Sequence, residues 1–356
     1  MPNTFQVKYF ADVNLADPFF DSLKADYPEF ETWFKGKAEK GNSALAYLDG
    51  DRIAAFIYLK EENEEIVLQE MTIPAMQRVK IGTLKLDESI RNRRLGEGAL
   101  GFCLWQWRNS GQQQIYVTVY EKQEALISLL SKFGFSLVGH KENGECVYMK
   151  DKTMLDDADI HGSFPFLQSS FSYGGIIPIE AQFHDRLFPY SELKNVRFDE
   201  NAIEDVAGNG VTTVYIATPA GSTPFYEGEP VFFYRKATEN RKYRSVITSF
   251  GRIVRIAQVR TPERPLISHD EFLKTVGNKS IFDTETLNRL YALRKNVVVL
   301  EVVYCGFFGA GNNVNFATLQ DGGLFPDHPY QIKYTPDQFK QILEMGGVNV
   351  QATFID

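Results

Sequence analysis

Residues 81–100 read IGTLKLDESIRNRRLGEGAL, and the succession of residue types in this stretch decides how the first half of the chain is built. Apolar residues at alternate positions over 79–87 predict a strand. An arginine-rich turn follows (Arg91, Arg93, Arg94), then glycines two apart at 96 and 98. Leu100, Cys103, Leu104 and Trp107 share one stripe at helical spacing and predict a helix over 95–108. Glycine lacks a Cβ, so backbone N–H groups at 96 and 98 can approach a ligand closely. The first N–H groups of a helix have no intrahelical acceptor and lie at its positive end, which suits a pyrophosphate. Gly-x-Gly alone leaves a second reading open, a glycine-containing helix entry with solvated arginines. No Gly-Lys-Ser/Thr follows and the glycine spacing is not that of a dinucleotide fingerprint, so both of those phosphate motifs are excluded.

Working outward, residues 4–10 alternate polar and apolar and predict a strand. Residues 17–38 place Phe19, Phe20, Leu23, Phe30, Trp33 and Phe34 at helical spacing, with a break near Pro28. Residues 43–47 and 52–59 flank Asp49-Gly50 and predict a β-hairpin. The acidic run 60–65 is expected at the solvated tip of the next connection. Downstream, 114–120 (QIYVTVY) predicts a strand and 121–132 a helix stopped by Gly134. Residues 135–139 and 145–150 close the unit as a pair around Asn143-Gly144. The order is strand, two helices, three strands, helix, strand, helix, two strands.

The string Arg93-Arg94-Leu95-Gly96-Glu97-Gly98 fits an R/Q-x-x-G-x-G/A signature, and Lys132-Phe133-Gly134-Phe135 fits a K-x-G-F ending. With the element order, these make residues 1–150 resemble the GNAT superfamily of acyl-CoA N-acyltransferases. The resemblance implies a mixed α/β fold with a V-shaped split between strands 79–87 and 114–120, holding acetyl-CoA as co-substrate. It implies pantetheine pairing with the backbone near Leu84 and Leu86, and with Gln123, which stands where relatives often carry asparagine. The pyrophosphate is expected on the amides of Leu95, Gly96, Glu97, Gly98 and Ala99, beside Arg93 and Arg94. An acceptor amine then attacks the thioester directly, and the protein supplies proximity, a polarised carbonyl, a base and an acid. The chain departs from the pattern at Leu130, where many relatives carry a tyrosine acid. Ser131, Tyr120 or a water then takes that role, or the site is weak. Glu70, in VLQEMTI, is the candidate base, with a solvent-facing strand glutamate as the other reading. Tyr116 and Tyr120 either line the cleft or pack at the core edge, and His140 reads as a surface histidine.

Residues 151–172 are acidic at first, then contain Ser and Gly, and are expected to form a linker. From 173 to 356 the texture changes to short strands and turns, with strands expected at 212–217, 230–234, 245–258 and 297–304. Helices are expected at 268–276, 284–293 and 335–345, the last capped by Thr335 with Pro336 at its first position. Ile177-Pro178-Ile179, the FHDRLFP string at 183–189, Asn209-Gly210-Val211, the GEPVFFYR string at 228–235 and Gly251-Arg252-Ile253-Val254 resemble PUA-like barrels of the ASCH/EVE type. That resemblance implies a small β-barrel with inserted helices that takes RNA, modified bases or nucleotides. Residues 235–264 hold nine basic residues against Glu239 and Glu263, interleaved with Tyr243 and Phe250. Arg235, Arg241, Lys242, Arg244 and Arg252 are therefore nucleic-acid candidates, since phosphate contact needs cations and base stacking needs aromatics. A solvated hairpin is the other reading. Residues 306–323, rich in Gly, Asn and aromatics, read as a ligand-facing loop or a flexible connection, and His184 as a packed or capping residue.

The 356 residues are 44% hydrophobic and 24% charged, enough to bury cores for two domains. A net charge of −8 excludes a uniformly basic nucleic-acid coat protein. No apolar run reaches the roughly 18–20 residues that span a bilayer, and residues 1–14 do not resemble a signal peptide. Cys103, Cys146 and Cys305 lie far apart without a CxxC, which fits a reducing cytoplasm. The histidines show no HEXXH or His-x-x-x-His spacing, so no metal site is expected. Three functions remain: an acetyltransferase whose barrel recruits an RNA or nucleotide-related substrate, one acting on a protein or small amine with a structural barrel, and a catalytically weak CoA-binding scaffold.

Overall fold

The computed structural model describes residues 5–50, 52–87, 93–189, 191, 206–326 and 328–355. Among these, the chain up to Met154 forms one compact unit and the chain from Leu155 forms a second.

The first unit is a seven-stranded mixed sheet of β1 (Gln6–Tyr9), β2 (Ser43–Asp49), β3 (Arg52–Val67), β4 (Thr72–Leu86), β5 (Gln114–Val119), β6 (Ser136–His140) and β7 (Cys146–Asp151). Its order is β1-β2-β3-β4-β5-β7-β6, and only the β4–β5 pair at its centre is parallel. That pair needs a crossover, and α3 (Leu95–Ser110) supplies it. The stripe of Leu100, Cys103, Leu104 and Trp107 is fully buried against the sheet. Helices α1 (Asp21–Asp26) and α2 (Phe30–Glu39) connect β1 to β2. Their apolar face closes on an aromatic cluster in which Phe10, Phe20, Phe34 and Phe56 meet at ring-centroid distances of 4.8–6.0 Å. Helix α4 (Glu124–Lys132) joins β5 to β6.

The acidic run 60–65 is not a tip. It lies inside β3, where Glu61 faces Val79 and Glu64 faces Met76, and the hairpin turns only after Val67. The charges are tolerated because Glu62 is buried with partners: Lys60 at 2.5 Å and the Tyr116 hydroxyl. Burial pushes the Glu62 carboxyl up, but those two hydrogen bonds win and hold it below the usual carboxylate range. The far end of the hairpin buries Ile66 and Leu68 with Tyr116, Val147 and Met149.

The second unit is built on β9 (Gly174–Glu180), β10 (Thr212–Ala217), β11 (Pro230–Lys236), β12 (Val246–Arg260), β13 (Val297–Phe307) and β15 (Lys333–Tyr334), with α5 (Ala181–Leu187) after β9. The path runs β10-β13-β12-β11-β9-β15, and its two end strands do not pair with one another among the described residues. In place of the expected closed barrel, the described residues show an open path of strands without a closing pair. Gly251 is a packing residue: a Cβ on it would lie 2.1 Å from the Val303 carbonyl oxygen. Glu229, from the GEPVFFYR string, is buried and bound to Lys333 at 2.5 Å and to the Tyr226 amide at 3.0 Å.

Two expectations need correction here. The stretch 151–172 is not a bare linker. Ser163, Phe164 and Phe166 are buried, and β8 (Leu167–Gln168) pairs with β16 (Phe354–Ile355). Buried apolar side chains and a paired backbone are what a linker lacks. Nor is 306–323 all loop: β14 (Val314–Asn315) pairs with β12, and Asn315 caps α10 (Phe316–Asp321) by accepting the Thr318 amide. No helix among the described residues is long and apolar enough to cross a membrane.

Candidate functional site

Strand β5 pairs with β4 from Arg78/Gln114 to Ile81/Val117 and no further, while β3 continues to pair with β4 as far as Leu86. From Gly82 to Leu86, β4 therefore has a strand on one side and none on the other among the described residues. The divergence coincides with a bulge. Tyr58 faces Thr83 and Leu59 faces Ile81, so Gly82 is the extra residue left out of the ladder. A Cβ at Gly82 would sit 3.0 Å from the Tyr58 ring, which explains why glycine occupies the bulge.

A cavity of about 310 Å³ opens at this split. Its walls come from α1–α2 (Tyr27, Trp33), β4 (Lys80, Gly82, Thr83, Leu84), β5 (Val117, Thr118), the start of α4 (Gln123, Leu126) and the β6–β7 turn (Lys141, Glu145). Glu145 is buried yet accepts hydrogen bonds from the Tyr27 hydroxyl at 2.8 Å, the Thr118 hydroxyl at 3.2 Å and the Asn143 amide at 3.0 Å. Burial, then the bond to Glu145, pushes the Tyr27 phenol above its ordinary pKa, so it stays protonated as a donor. Burial depresses the Lys80 ammonium; Glu62 opposes the shift, while Lys141 and Lys60 add to it. A buried carboxylate with a donor phenol and a cation of lowered pKa in one cleft is a proton-transfer set.

The entrance of α3 adjoins this split. Leu95, Gly98 and Ala99 are buried, and the Gly98 amide donates to the Arg94 carbonyl at 3.2 Å. A Cβ on Gly96 would meet Leu86 at 3.2 Å and Leu129 at 3.5 Å. Gly96 thus lets α3 close against β4 and α4, a packing role the sequence did not disclose. Arg93 pairs with Asp49 at 2.9 Å, Arg94 with Glu97 at 3.0 Å, and Glu97 also lies 3.6 Å from Lys132. Arg91 lies outside the described residues.

The remaining candidates divide. Leu84 and Gln123 line the cavity. Tyr120 stands beside it, its ring 5.8 Å from that of Tyr27. Ser131 is exposed on α4 while Leu130 is fully buried, because one turn of helix cannot turn both toward the core. Glu70 is not at the cavity; it sits in the β3–β4 turn, bound to His140 Nδ1 at 2.8 Å and to the His140 amide at 3.0 Å. Tyr27, Lys80, Gly82 and Glu145 were missed. The one signal that could have found any of them is Asn143-Gly144-Glu145, a tight turn that aims an acid back at the strand.

In the second unit, Arg252 is 3% exposed and donates to Ser163 Oγ at 2.9 Å and the Asp157 carbonyl at 3.3 Å, so it is a buried tie and not a nucleic-acid contact. Arg235 is forked onto Asp185 through two bonds of 2.8 Å. Arg241, Lys242 and Arg244 are exposed on α7 (Arg241–Arg244), next to the exposed Tyr243. His184 is fully buried between Asp185 and Thr248. A cavity of about 740 Å³, larger than the one at the β4–β5 split, is walled by Phe183, Tyr215, Phe282 and Tyr330, with the Lys236–Glu180 pair at 2.8 Å beside it.

No family model matches the chain, and no curated protein sequence matches it. Solved structures resemble parts of it. The S128A mutant of the ASCH protein from Zymomonas mobilis is 10% identical, covering 48% of this chain and 94% of its own, with a TM-score of 0.32. A Bacillus subtilis acetyltransferase in complex with CoA is 16% identical, covering 42% of this chain and 99% of its own, with a TM-score of 0.31. An N-acetyltransferase from Staphylococcus aureus Mu50 is 14% identical, covering 42% and 98%, with a TM-score of 0.30.

Proposed function

We propose that the first unit is an acetyl-CoA-dependent N-acyltransferase acting on an amine. The observation that carries this reading is the parting of β4 and β5 at the Gly82 bulge, with a cavity at the gap. A pantetheine arm is a string of amides, and an unpaired strand edge from Gly82 through Leu84 to Leu86 offers it a ladder to join. Gln123 adds a side-chain amide on the opposite wall. The start of α3, with Arg94 and Lys132 near it, offers amides and positive charge to the pyrophosphate. Arg93 lies at the same mouth.

In this reading the acceptor amine enters between α1–α2 and the β6–β7 turn. It attacks the thioester carbonyl as the neutral amine and, as the N–C bond forms, gives up one proton to Glu145, directly or through Tyr27. The amide at the Gly82 bulge, left out of the β3 ladder, donates to the oxygen as negative charge develops there. The C–S bond breaks and the thiolate is protonated from Lys80, which lines the same cavity and whose ammonium burial makes a readier proton donor than an exposed lysine. Tyr120 remains beside the cleft as an alternative donor. The exposed trio Arg241, Lys242 and Arg244 recruits an RNA or nucleotide-bearing acceptor, with Arg235 held in place by Asp185.

The test is isothermal titration of the full chain with CoA and acetyl-CoA, followed by transfer of labelled acetyl to the RNA and protein fractions of a cell extract. Saturable CoA binding with label in an amine-bearing acceptor is expected. Absence of CoA binding ends the proposal. The buried Leu130 favours a second reading, a CoA-binding scaffold with little turnover. It is separated from the first by CoA binding without any transfer.

A further inference from the structure

One corner of the first unit gathers chemistry that acyl transfer does not use. Glu121 follows β5, His140 ends β6 and Cys146 opens β7, and the β6–β7 ladder sets His140 directly opposite Cys146. One carboxylate oxygen, one imidazole nitrogen and one sulfur from these residues lie within 4.8 Å of one another. His140 Nε2 is 4.0 Å from Glu121 Oε1.

A second observation points the same way. The other imidazole nitrogen, Nδ1, is engaged by Glu70 Oε1 at 2.8 Å, and Glu70 Oε2 accepts the His140 backbone N–H at 3.0 Å. A carboxylate on Nδ1 keeps the proton there and leaves the Nε2 lone pair available on the side of Glu121, whose Oε1 lies 4.0 Å away. That is the arrangement by which an outer carboxylate orients a metal-binding histidine. The fold makes room for it: a Cβ on Gly139 would lie 2.8 Å from Glu70 Oε2 and 2.7 Å from Leu68 Cδ1. The turn of the β3–β4 hairpin can reach His140 only because residue 139, at a bulge in β6, has no side chain.

We propose that Glu121, His140 and Cys146 form a zinc-type divalent metal site, with Glu70 as its outer carboxylate. Sulfur and imidazole ligands select a borderline-soft transition metal and disfavour magnesium and calcium, which take oxygen. Zinc bonds of about 2.0–2.3 Å place tetrahedral ligand atoms under about 4 Å apart. The trio must therefore contract slightly, and Glu121, with its side chain 81% exposed, is the ligand able to swing in. Three protein ligands leave a fourth position for water or an incoming group. Bound metal would fasten together the end of β5, the β6–β7 pair and, through Glu70, the hairpin turn. The proposal does not depend on the first unit being an acyltransferase.

The test uses the full-length protein stripped with a chelator. Zinc is titrated in competition with a chromophoric chelator, and cobalt(II) is followed by absorbance. One zinc per chain is expected, with a near-ultraviolet thiolate-to-cobalt band that Cys146→Ser abolishes. His140→Gln and Glu121→Gln should each weaken zinc by at least about tenfold, and Glu70→Gln by roughly ten- to a hundredfold. Cys146 is buried, so circular dichroism checks the fold of its variant, while Glu121→Gln tests the site with a substitution at an exposed position. A wild-type protein without the cobalt–thiolate band overturns the proposal. So does zinc affinity unchanged in both His140→Gln and Glu121→Gln, which would mark adventitious binding only.

Discussion

Glu145 shows how one residue acquires a role from its surroundings. It opens the Glu145–Lys150 stretch that the sequence reads as a plain strand, yet it ends buried with three donors, one of them a phenol that cannot readily ionise. Glu145→Gln is expected to lower kcat by about 10²–10⁴-fold, with CoA affinity by titration little altered; a variant with the parent rate removes Glu145 as the base. Lys80 carries the opposite tension, since its folded-state pKa is depressed chiefly by burial. The unfolded chain then binds that proton more tightly, so the stability lost to Lys80 at neutral pH is regained as pH rises from the depressed value through the ordinary lysine range. Lys80→Met should therefore melt at or above the parent temperature at pH 7, and its advantage should shrink toward pH 10. Thermal melts at the two pH values decide it, and an advantage that grows with pH contradicts the assignment.

Among the elements, β4 matters most, because its two neighbours end their pairing at different points and the gap is the proposed site. Periodicity found the strand from 79, but not its beginning at Thr72 nor the long polar hairpin arm. Strands whose charges find partners across a sheet look in sequence like solvated loops, as residues 60–65 did. The entrance of α3 depends on contact with β4 and α4. Gly96→Ala needs only a small shift of the flexible ends of Leu86 and Leu129, whereas Gly96→Phe must part the three elements. A loss of CoA affinity of at least about tenfold, near 1.4 kcal/mol, is expected for Gly96→Phe and little for Gly96→Ala; equal affinities would refute the role of this contact. At the other end of the arm, Gly139→Ala places a methyl against Leu68 and Glu70 at a positive φ of 154°. It should cost about 1–3 kcal/mol in denaturant unfolding.

Across the whole molecule, a net charge of −8 coexists with the basic stretch 235–264, and folding sorts those cations. Arg252 is sequestered and Arg235 is paired, whereas Arg241, Lys242 and Arg244 are exposed, as are Arg255 and Arg264. Neutralising all three should lower RNA retention at low salt and flatten its logarithmic salt dependence by about 2; an unchanged slope would assign the stretch to surface charge alone. Hydrophobic periodicity, turn pairs and the Gly-x-Gly string determined by themselves the order of elements in the first unit and the place where its central helix begins, because those signals are local in the chain. Only the tertiary structure decided that β4 and β5 part at Gly82, that Tyr27 meets Glu145, and that Glu70, Glu121, His140 and Cys146 converge. These groups are up to 118 residues apart, and long-range partners are chosen by packing and by the need to satisfy buried polar atoms, which no local spacing encodes.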